Sequence, residues 1–417
     1  MENGLRNHLL AAAEQFGAPL YVYHGDTILK QYERLKSAFG QLPVKFHYAI
    51  KANSNPNILQ LLHAQGCGID AASWQEVQLA LWTGVSPQDI VFTPNGVAFE
   101  EIQSGVEAGV TVNIDNISSL EQFGAAYGGR YPVAIRLNPH ILAGGHAHIQ
   151  VGGIDSKFGI SVHQMRHVQR IVQAYNMQVC GLHMHTGSDI LDAGVFLQGA
   201  EILLQAALNF PDLKLIDFGS GFKVAYHSDD ITTDIEELGR QLTERMQQFF
   251  SKEEYGRELE IWFEPGKFLV SEAGWLLVRT NVVKQTVATV FAAVDSGLNH
   301  LLRPMLYDAY HQIQNLSNPE GAERIYSVVG YICETDTFGA DRRLNEVREG
   351  DILALSNAGA YGFTMASNYN SRLRPAEVLL LNGKAHLIRE RESLEDLTRK
   401  VQWCPELEPE ASAALPS

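Results

Sequence analysis

The stretch VKFHYAIKANSN (Val44–Asn55) has the alternation of a β-strand that ends on a lysine. Large apolar side chains occupy its even-numbered positions, whereas Ala49 and Lys51 share the opposite face, because side chains alternate across a strand. A lysine in such a place is most often a surface residue. If helices cover both faces of the strand, we expect the Lys51 amine to be desolvated, with a lowered pKa and a nucleophilic nitrogen.

Short apolar strands alternate with longer helical patterns from Val44 to Glu264. We predict seven helices between eight strands, which is the rhythm of a (β/α)8 barrel of the TIM type. The alternative is an open, doubly wound sheet, but KANSN stands where that fold has a glycine-rich loop. The predicted strands are 44–50, 68–72, 89–93, 111–114, 131–138, 178–185, 213–218 and 258–264.

A β-rich region follows the barrel pattern. Strand-like segments with few helices between them occur after Glu264, and the last is a hairpin around Asn382-Gly383. The end of the chain is polar and contains Pro and Ala, a composition typical of disordered segments. The predicted organisation is a barrel over 22–270, a β-rich domain over 271–402 that segment 1–21 joins, and a disordered tail over 403–417.

The composition excludes several classes of protein. The chain has 417 residues and a formal net charge of -16, which argues against nucleic acid or an anionic membrane as the main partner. Its four cysteines form no CxxC pair, so we expect no zinc site and a reducing compartment. The N-terminus lacks the apolar core of a signal peptide, and no apolar run approaches the roughly 20 residues that span a bilayer. We therefore expect a cytoplasmic protein.

Polar side chains end almost every predicted barrel strand. Each strand must end where polarity begins, so one such residue is a weak signal. In TIM-type barrels, however, these ends surround a single mouth that carries the reacting groups. The whole set, with a lysine and a glutamate in it, predicts a functional site. Its members are Lys51, Asp70, Asn95, Asp115, Asn138, His183, His185, Asp217 and Glu264.

The loop DFGSGF (Asp217–Phe222) follows the seventh predicted strand. Barrels of this type often hold a phosphate beside the seventh and eighth strands. Glycine N–H groups can approach phosphate oxygens closely because no Cβ intervenes. The loop is therefore a candidate phosphate site, although a tight turn alone would also explain it.

Glu264 follows the apolar residues of the eighth strand and precedes Pro265-Gly266-Lys267. A carboxylate in this position could keep the ring nitrogen of a pyridoxal cofactor protonated. An ion pair with a barrel lysine is the alternative.

His183 and His185 lie on one face of a strand. Such a pair can bind a metal, with a third ligand from His140, His146 or His148. The other ligand types lack a clear spacing, so we predict no metal and favour an imidazole that stacks on a cofactor ring.

Three further motifs lie in the β-rich region. RPMLY (Arg303–Tyr307) offers a carboxylate-binding guanidinium and a phenol. Cys333-Glu334 is either an acid–base pair or a buried thiol beside a surface carboxylate, and the residues alone favour the second reading. Glycines bracket Tyr361, and the polar, aromatic stretch MASNYNSR (365–372) follows it.

Taken together, seven motifs resemble those of the diaminopimelate decarboxylases, a family of fold-type III, alanine-racemase-like pyridoxal-phosphate enzymes. The resemblance covers nearly the whole chain in the family's order. It implies an N-terminal barrel, a C-terminal β domain and a homodimer with active sites at the interface. The motifs are YAIKANSN, GLHMHTGS, DFGSGF, EPGK, VDSGLNHLLRPMLYDAYH, VVGYICETDTFG and NAGAYGFTMASNYNSR.

The resemblance also implies roles for single residues. Lys51 resembles the lysine that attaches the cofactor, and Cys333 resembles a thiol of the partner subunit that is thought to protonate the substrate carbanion. His185 resembles the ring-stacking histidine, and Glu264 the partner of the ring nitrogen. The remaining cofactor set is Asp70, Ser188, Gly219, Ser220, Gly221, Gly266 and Tyr361, and the substrate set is Lys267, Arg303, Tyr307, Glu334 and Tyr361.

Three positions depart from the family's pattern. Lys267 stands where an arginine is common, and it keeps the charge but loses bidentate geometry. CETDTF differs from the usual CESGD after Glu334, and Ser220 interrupts a triple glycine while keeping its backbone N–H.

The resemblance implies decarboxylation of meso-2,6-diaminopimelate to L-lysine and carbon dioxide, the last step of lysine biosynthesis, with pyridoxal 5'-phosphate. Arg303 suits a distal carboxylate and would repel a distal cation. The alternatives are decarboxylation of carboxynorspermidine, ornithine or arginine on the same fold, a non-catalytic pyridoxal-phosphate-binding homologue, and a barrel aldolase that uses Lys51 without a cofactor.

Overall fold

The structure is a computed structural model that describes residues 2–141, 155–185, 187, 189–227 and 229–407. The predicted site residue Ser188 lies outside these ranges, as do His146 and His148. Within these ranges, no helix has both the length and the apolar character needed to cross a bilayer.

Strands and helices alternate through the first two thirds of the chain. The elements there are α1 (Asn3–Phe16), β1 (Leu20–His24), α2 (Gly25–Phe39), β2 (Val44–Ala49), α3 (Pro56–His63), β3 (Gly68–Ala71), α4 (Trp74–Trp82), β4 (Ile90–Phe92), α5 (Phe99–Ala108), β5 (Thr111–Ile114), α6 (Ile117–Tyr127), β6 (Val133–Asn138), β7 (Ile160–Ser161), α7 (Met165–Ala174), β8 (Val179–Met184), α8 (Ala193–Ala207), β9 (Leu215–Asp217), α9 (Ile235–Phe249) and β10 (Glu260–Phe263).

Eight parallel strands close into a barrel, which confirms the predicted fold class. Their order is β5-β4-β3-β2-β10-β9-β8-β6, and pairing of β5 with β6 closes the ring, with the short β7 added beside β6. Each barrel strand lies within its predicted bounds. Side chains at the junctions start the helices: Asn55, Ser73 and Asn116 accept hydrogen bonds from first-turn N–H groups of α3, α4 and α6.

A second sheet of nine strands follows the barrel and includes β1 from the N-terminus. Several of its strands are antiparallel partners of β11, which pairs with β1, β12 and β16. The elements are α10 (Lys267–Val270), β11 (Gly274–Gln285), β12 (Val290–Val294), α11 (Arg303–Tyr307), β13 (Ile313–Asn315), β14 (Glu323–Val329), β15 (Thr337–Asn345), β16 (Ile352–Leu355), β17 (Ala376–Leu381), β18 (Lys384–Arg389) and α12 (Leu394–Thr398).

The second sheet holds the turn that follows β2. Tyr361 N donates to Ala52 O at 2.8 Å, and Asn53 Nδ2 donates to Gly359 O at 3.2 Å. Asn55 Nδ2 donates to the fully buried carboxylate of Glu377 in β17 at 3.0 Å. The position of Lys51, which lies in this turn, therefore depends on residues from the far end of the chain.

Helix α2 and strand β15 are among the elements that the sequence analysis missed. Helix α2 carries the apolar stripe Ile28, Tyr32, Leu35 and Phe39, all buried against the core, yet it precedes the first strand of the repeating pattern. Strand β15, TFGADRRLN, is polar because several of its residues are exposed, so its composition does not indicate a strand.

Candidate active site

A cavity of about 820 Å³ opens at the carboxyl ends of the barrel strands, as expected for this fold. Residues 303, 307–310, 361 and 365, which follow the barrel, line its other side. The lining includes ten of the predicted site residues: Lys51, Asp70, Asn95, His183, His185, Glu264, Lys267, Arg303, Tyr307 and Tyr361.

Lys51 reaches this cavity from a short 3-10 turn, Ile50–Ala52. Its Nζ lies 3.2 Å from Asp70 Oδ2, and 44% of the side chain is exposed. Burial lowers the pKa of Lys51, but the opposing charges, of which Asp70 is the largest, raise that pKa above its ordinary value. The expected lowering of the pKa is therefore wrong for the protein alone, because the fold brings Asp70, 19 residues away, against the amine.

Asp70 lies one residue before the end of β3 and is almost fully buried. Burial and the charge of Glu264 raise the pKa of Asp70, Lys51 opposes both effects, and the net result is a pKa of about 7. Near neutral pH, this carboxyl group can therefore hold or release a proton directly beside the lysine amine.

Glu264 and His183 form a buried pair beside Lys51. His183 Nε2 lies 3.0 Å from Glu264 Oε2. Burial alone would raise the pKa of Glu264, but the hydrogen bond of His183 and the positive charge of Lys51 hold the pKa below its usual range. Burial and the charge of Glu264 raise the pKa of Asp217 well above its usual value. The two shifts have opposite directions, so Glu264 ionises before Asp217.

These residues also place three possible metal donors close together. One donor atom each from His183, Asp217 and Glu264 lies within 4.8 Å of the others, and His185 does not belong to this group. Burial and the positive charges of Arg136 and Lys51 lower the pKa of His183, and they outweigh the charge and hydrogen bond of Glu264, which raise it. Because the same charges oppose a divalent cation, we assign no metal to the group.

His185 presents its ring to the cavity from the residue after β8. Its Nδ1 accepts a hydrogen bond from Ser220 N at 3.4 Å. Burial lowers the pKa of His185 well below its usual value, and the charges of Arg136 and Lys51 act in the same direction. The imidazole is therefore neutral and can pack flat against an aromatic ring.

The predicted phosphate loop lies behind His185 rather than in the cavity lining. Gly219 and Gly221 have φ angles of 63° and 119°, which favour glycine. A Cβ at Gly219 would collide with Met184 O, and one at Gly221 would collide with Gly187 O. A Cβ added at Gly266 would lie only 3.1 Å from the Cβ atoms of Ala49 and Ala52. The glycine therefore allows the Lys51 turn to approach the end of β10.

Lys267 lines the cavity and forms an ion pair with Asp189, a residue that the sequence analysis missed. Both side chains are largely buried. Asp189 has a φ of 65°, in the left-handed region that Asp and Asn tolerate best after glycine. The pair balances the charge of Lys267, and it occurs where the family's pattern has an arginine.

Arg303 enters the cavity from the first position of α11. Its Nη2 donates to the hydroxyl of Tyr226 at 3.1 Å, and its Cζ lies 5.9 Å from the ring centroids of both Tyr307 and Tyr361. Arg303 Nε is buried and has no hydrogen-bond partner among the described residues. A donor of this kind is suited to a carboxylate that enters the cavity.

Cys333 and Glu334 do not line this cavity, and both are exposed. Cys333 Sγ lies against Asn370, and Glu334 Oε1 accepts a hydrogen bond from the Tyr369 hydroxyl at 2.5 Å. The reading of a buried thiol is therefore wrong. Within one chain, the thiol is not part of the site that holds Lys51.

The sequence analysis missed two further cavity residues, of which one has a recognisable sequence pattern and the other has none. Arg136 is buried in β6, and a charged residue in an otherwise apolar barrel strand could have marked it. Tyr226 lies in a loop without a motif, and only the fold shows that it contacts Arg303.

Comparison with known proteins agrees with this arrangement. Residues 25–271 match the family model described as pyridoxal-dependent decarboxylase, pyridoxal binding domain. The diaminopimelate decarboxylase of Methanothermobacter thermautotrophicus is 38% identical over 397 residues, which cover 93% of this chain and 92% of that protein.

Two solved structures are also similar along nearly their whole length. The diaminopimelate decarboxylase of Methanocaldococcus jannaschii in complex with L-lysine has a TM-score of 0.88 at 33% identity, covering 96% of this chain and 95% of that one. The diaminopimelate decarboxylase of Helicobacter pylori complexed with L-lysine has a TM-score of 0.86 at 32% identity, covering 94% and 98%. The chain therefore belongs to the pyridoxal-dependent decarboxylases, and within them to the diaminopimelate decarboxylase family.

Proposed function

We propose that this chain decarboxylates meso-2,6-diaminopimelate to L-lysine and carbon dioxide with pyridoxal 5'-phosphate. The observation that carries the proposal is the composition of one cavity. Lys51 and the ionised Glu264 lie on its barrel side, and Arg303 lies on the side formed by the second sheet.

The residues present fit the cofactor. Glu264 Oε1 is buried without a hydrogen-bond partner in the described part of the chain, as suits an acceptor for a ring nitrogen. Gly219 and Gly221 admit no Cβ because the loop packs closely on Met184 O and Gly187 O, as is common in loops whose backbone N–H groups bind a phosphate. Lys51, Glu264, His185, the loop Gly219–Gly221 and Tyr361 would hold the group.

When bound, pyridoxal phosphate supplies an electron sink for the bond that loses the carboxylate. Glu264, kept ionised by His183, would hold a proton on the ring nitrogen. The neutral imidazole of His185 would cover one face of the ring and exclude water from it. Asp70 would take up or release a proton beside the Lys51 amine, because its pKa lies at about 7.

Arg303 supports the choice of substrate. Its unpartnered Nε and its neighbours Tyr226 and Tyr361 would bind the distal carboxylate of diaminopimelate. Ornithine ends in a cation instead, which the guanidinium would repel. Binding at this distance from the reacting carbon can contribute to catalysis when it improves in the transition state.

We also propose that the chain acts as a homodimer. Cys333 and Glu334 are exposed and absent from the cavity of their own chain, so they could complete the cavity of a second copy. There, Cys333 would donate a proton to the substrate carbon that has lost its carboxylate. All four cysteines are unpaired, which supports a reducing compartment such as the cytoplasm.

The test is carbon dioxide release from meso-diaminopimelate with added pyridoxal phosphate. Ornithine, arginine and carboxynorspermidine are assayed in parallel. Release from diaminopimelate alone, with L-lysine as product, is the expected result. Release from one of the other substrates alone would overturn the role of Arg303. Release from none of the four would overturn the proposed activity.

A further inference from the structure

The stretch 365–372, MASNYNSR, contacts the turn that carries Cys333 and Glu334. Tyr369 and Asn370 lie in a short 3-10 turn, Tyr369–Ser371. Each of these two residues engages one member of the pair: Tyr369 contacts Glu334, and Asn370 contacts Cys333. The contacts involve side chains on both partners, so they fix the thiol and the carboxylate relative to one another.

Both ends of the Asn370 amide lie within reach of the sulfur. Asn370 Nδ2 is 3.1 Å from Cys333 Sγ, and Sγ is 3.5 Å from Asn370 Oδ1. The amide oxygen can accept from a thiol, and the amide N–H can donate to a thiolate. One side chain can therefore stabilise the sulfur before and after it loses a proton.

The backbone holds this amide in place. Asn370 and Ser371 have φ angles of 57° and 55°, in the left-handed region that Asn tolerates and that strains most other side chains. The neighbouring Tyr369 hydroxyl donates to Glu334 Oε1 at 2.5 Å. This hydrogen bond and the charge of Glu334 raise the pKa of Tyr369 to about 12, so the phenol remains a donor at neutral pH.

We propose that Asn370 is a positioning residue that holds the Cys333 thiol and stabilises its thiolate during proton donation; this rests on the proposed function of Cys333. In that step, the S–H bond breaks as a C–H bond forms at the carbon that lost its carboxylate. The sulfur keeps the electron pair, Asn370 N–H donates to it, and a proton from solvent restores the thiol.

The test measures thiol reactivity in the holoenzyme. Asn370→Asp keeps the side-chain shape and can adopt the same left-handed backbone conformation, but it replaces the amide N–H donor with a carboxylate. Iodoacetamide modification at pH 7 is followed for each cysteine by peptide mass spectrometry. Cys404, which is exposed and hydrogen-bonded to Glu406, is an internal control for thiol reactivity. Cys67 and Cys180 are buried, so their modification reports unfolding.

We expect the alkylation rate of Cys333 to fall about fivefold in Asn370→Asp, because a smaller thiolate fraction outweighs the higher reactivity of a more basic sulfur. In Asn370→Gly, where glycine also adopts the left-handed backbone conformation, the alkylation rate of Cys333 should fall by less. Asn382→Asp is the matched control, since Asn382 has a φ of 51° and is exposed in a hairpin. A Cys333 rate that is unchanged relative to Cys404 in both Asn370 variants would overturn the proposal.

A second measurement separates this inference from the proposed function. In Asn370→Asp, kcat with meso-diaminopimelate should fall while the affinity for L-lysine, measured by calorimetry, stays the same. An equal loss of lysine affinity would overturn a role in positioning the thiol. If the wild-type protein releases no carbon dioxide, the proposed function fails, and the proton-donation part of this inference fails with it. The alkylation rates then still decide whether Asn370 controls the sulfur.

Discussion

His183 Nε2 lies 3.0 Å from Glu264 Oε2, and both side chains are almost fully buried. This hydrogen bond keeps Glu264 ionised. Glu264→Gln keeps the shape and removes the charge, so we expect kcat to fall about a hundredfold with little change in affinity for L-lysine. Glu260→Gln, in the strand that directly precedes Glu264 but outside the cavity lining, is the control. Normal turnover by Glu264→Gln would show that the charge is not needed.

Lys51→Ala should abolish attachment of the cofactor. After incubation with pyridoxal phosphate and reduction with borohydride, intact-mass measurement should show added mass on the wild type and none at this site in the variant. Lys157→Ala, which removes another lysine that lines the cavity, is the control. This variant should still gain the mass of the reduced cofactor. Attachment that persists in Lys51→Ala would mean that another amine reacts.

Gly221→Ala tests the phosphate cradle. The added Cβ would collide with Gly187 O, so the loop must shift away from the position that presents its N–H groups. We expect pyridoxal phosphate to bind roughly tenfold more weakly, the effect of one lost hydrogen bond to a charged group. Gly256→Ala is the control, because Gly256 has a similarly positive φ but no atom within 4 Å of the added Cβ. If both variants lose the same affinity for pyridoxal phosphate, the loss reflects backbone strain and not the phosphate site.

Glu377→Gln should destabilise the protein and loosen the Lys51 turn. The buried carboxylate accepts hydrogen bonds from the Tyr23 hydroxyl and Asn55 Nδ2 and pairs with Arg389. Removing its charge should cost about 2 kcal/mol of unfolding free energy, measured by urea denaturation. Glu323→Gln, which removes an exposed ion pair with Arg343, should change stability by less than about 1 kcal/mol.

Stability should fall in mild acid through His47, which is buried against Trp262 with ring centroids 4.2 Å apart. Burial lowers the pKa of His47 from 6.5 to about 4. At pH 5, the unfolded chain therefore binds a proton that the folded chain does not. The contribution of neutral His47 to the free energy of unfolding is fully present above about pH 6.5. We expect about 2 kcal/mol of it to be lost by pH 5.

His47→Gln tests this value by urea denaturation at pH 7.5 and pH 5. The difference between the two unfolding free energies should shrink by about 2 kcal/mol in the variant. The buried His300 and His311 also have lowered pKa values, so the remaining difference should not reach zero. A difference equal to that of the wild type would contradict the assignment to His47.

The barrel was predictable because its signal is local and repeated. Each strand is a short apolar run, and each helix begins and ends with recognisable residues, such as Ser73 before α4 and Gly109 after α5. Strand β15 escaped because its side chains are largely polar or exposed. Its place in the sheet comes from pairing with β14, which composition does not reveal.

The electrostatics of the site were not predictable in the same way. Lys51 was identified from its place at the end of a strand, but the direction of its pKa shift depends on Asp70 and Glu264, which only the closed barrel brings near. The ion pair of Lys267 with Asp189 and the contact of Arg303 with Tyr226 also join distant segments. Residue type and strand position identify candidate groups, whereas their charge states depend on the folded neighbourhood.

The pairing of β1 with β17 affects when the protein can mature during synthesis. Tyr23 and its partner Glu377 are 354 residues apart. At about 5–20 residues per second, tens of seconds separate their synthesis on the ribosome. Throughout that interval, β1 lacks at least one of its two neighbours, and the Asn55 amide lacks the carboxylate of Glu377. We therefore expect the nascent barrel to depend on chaperones, and its lysine turn to reach working geometry only after β17 has been synthesised.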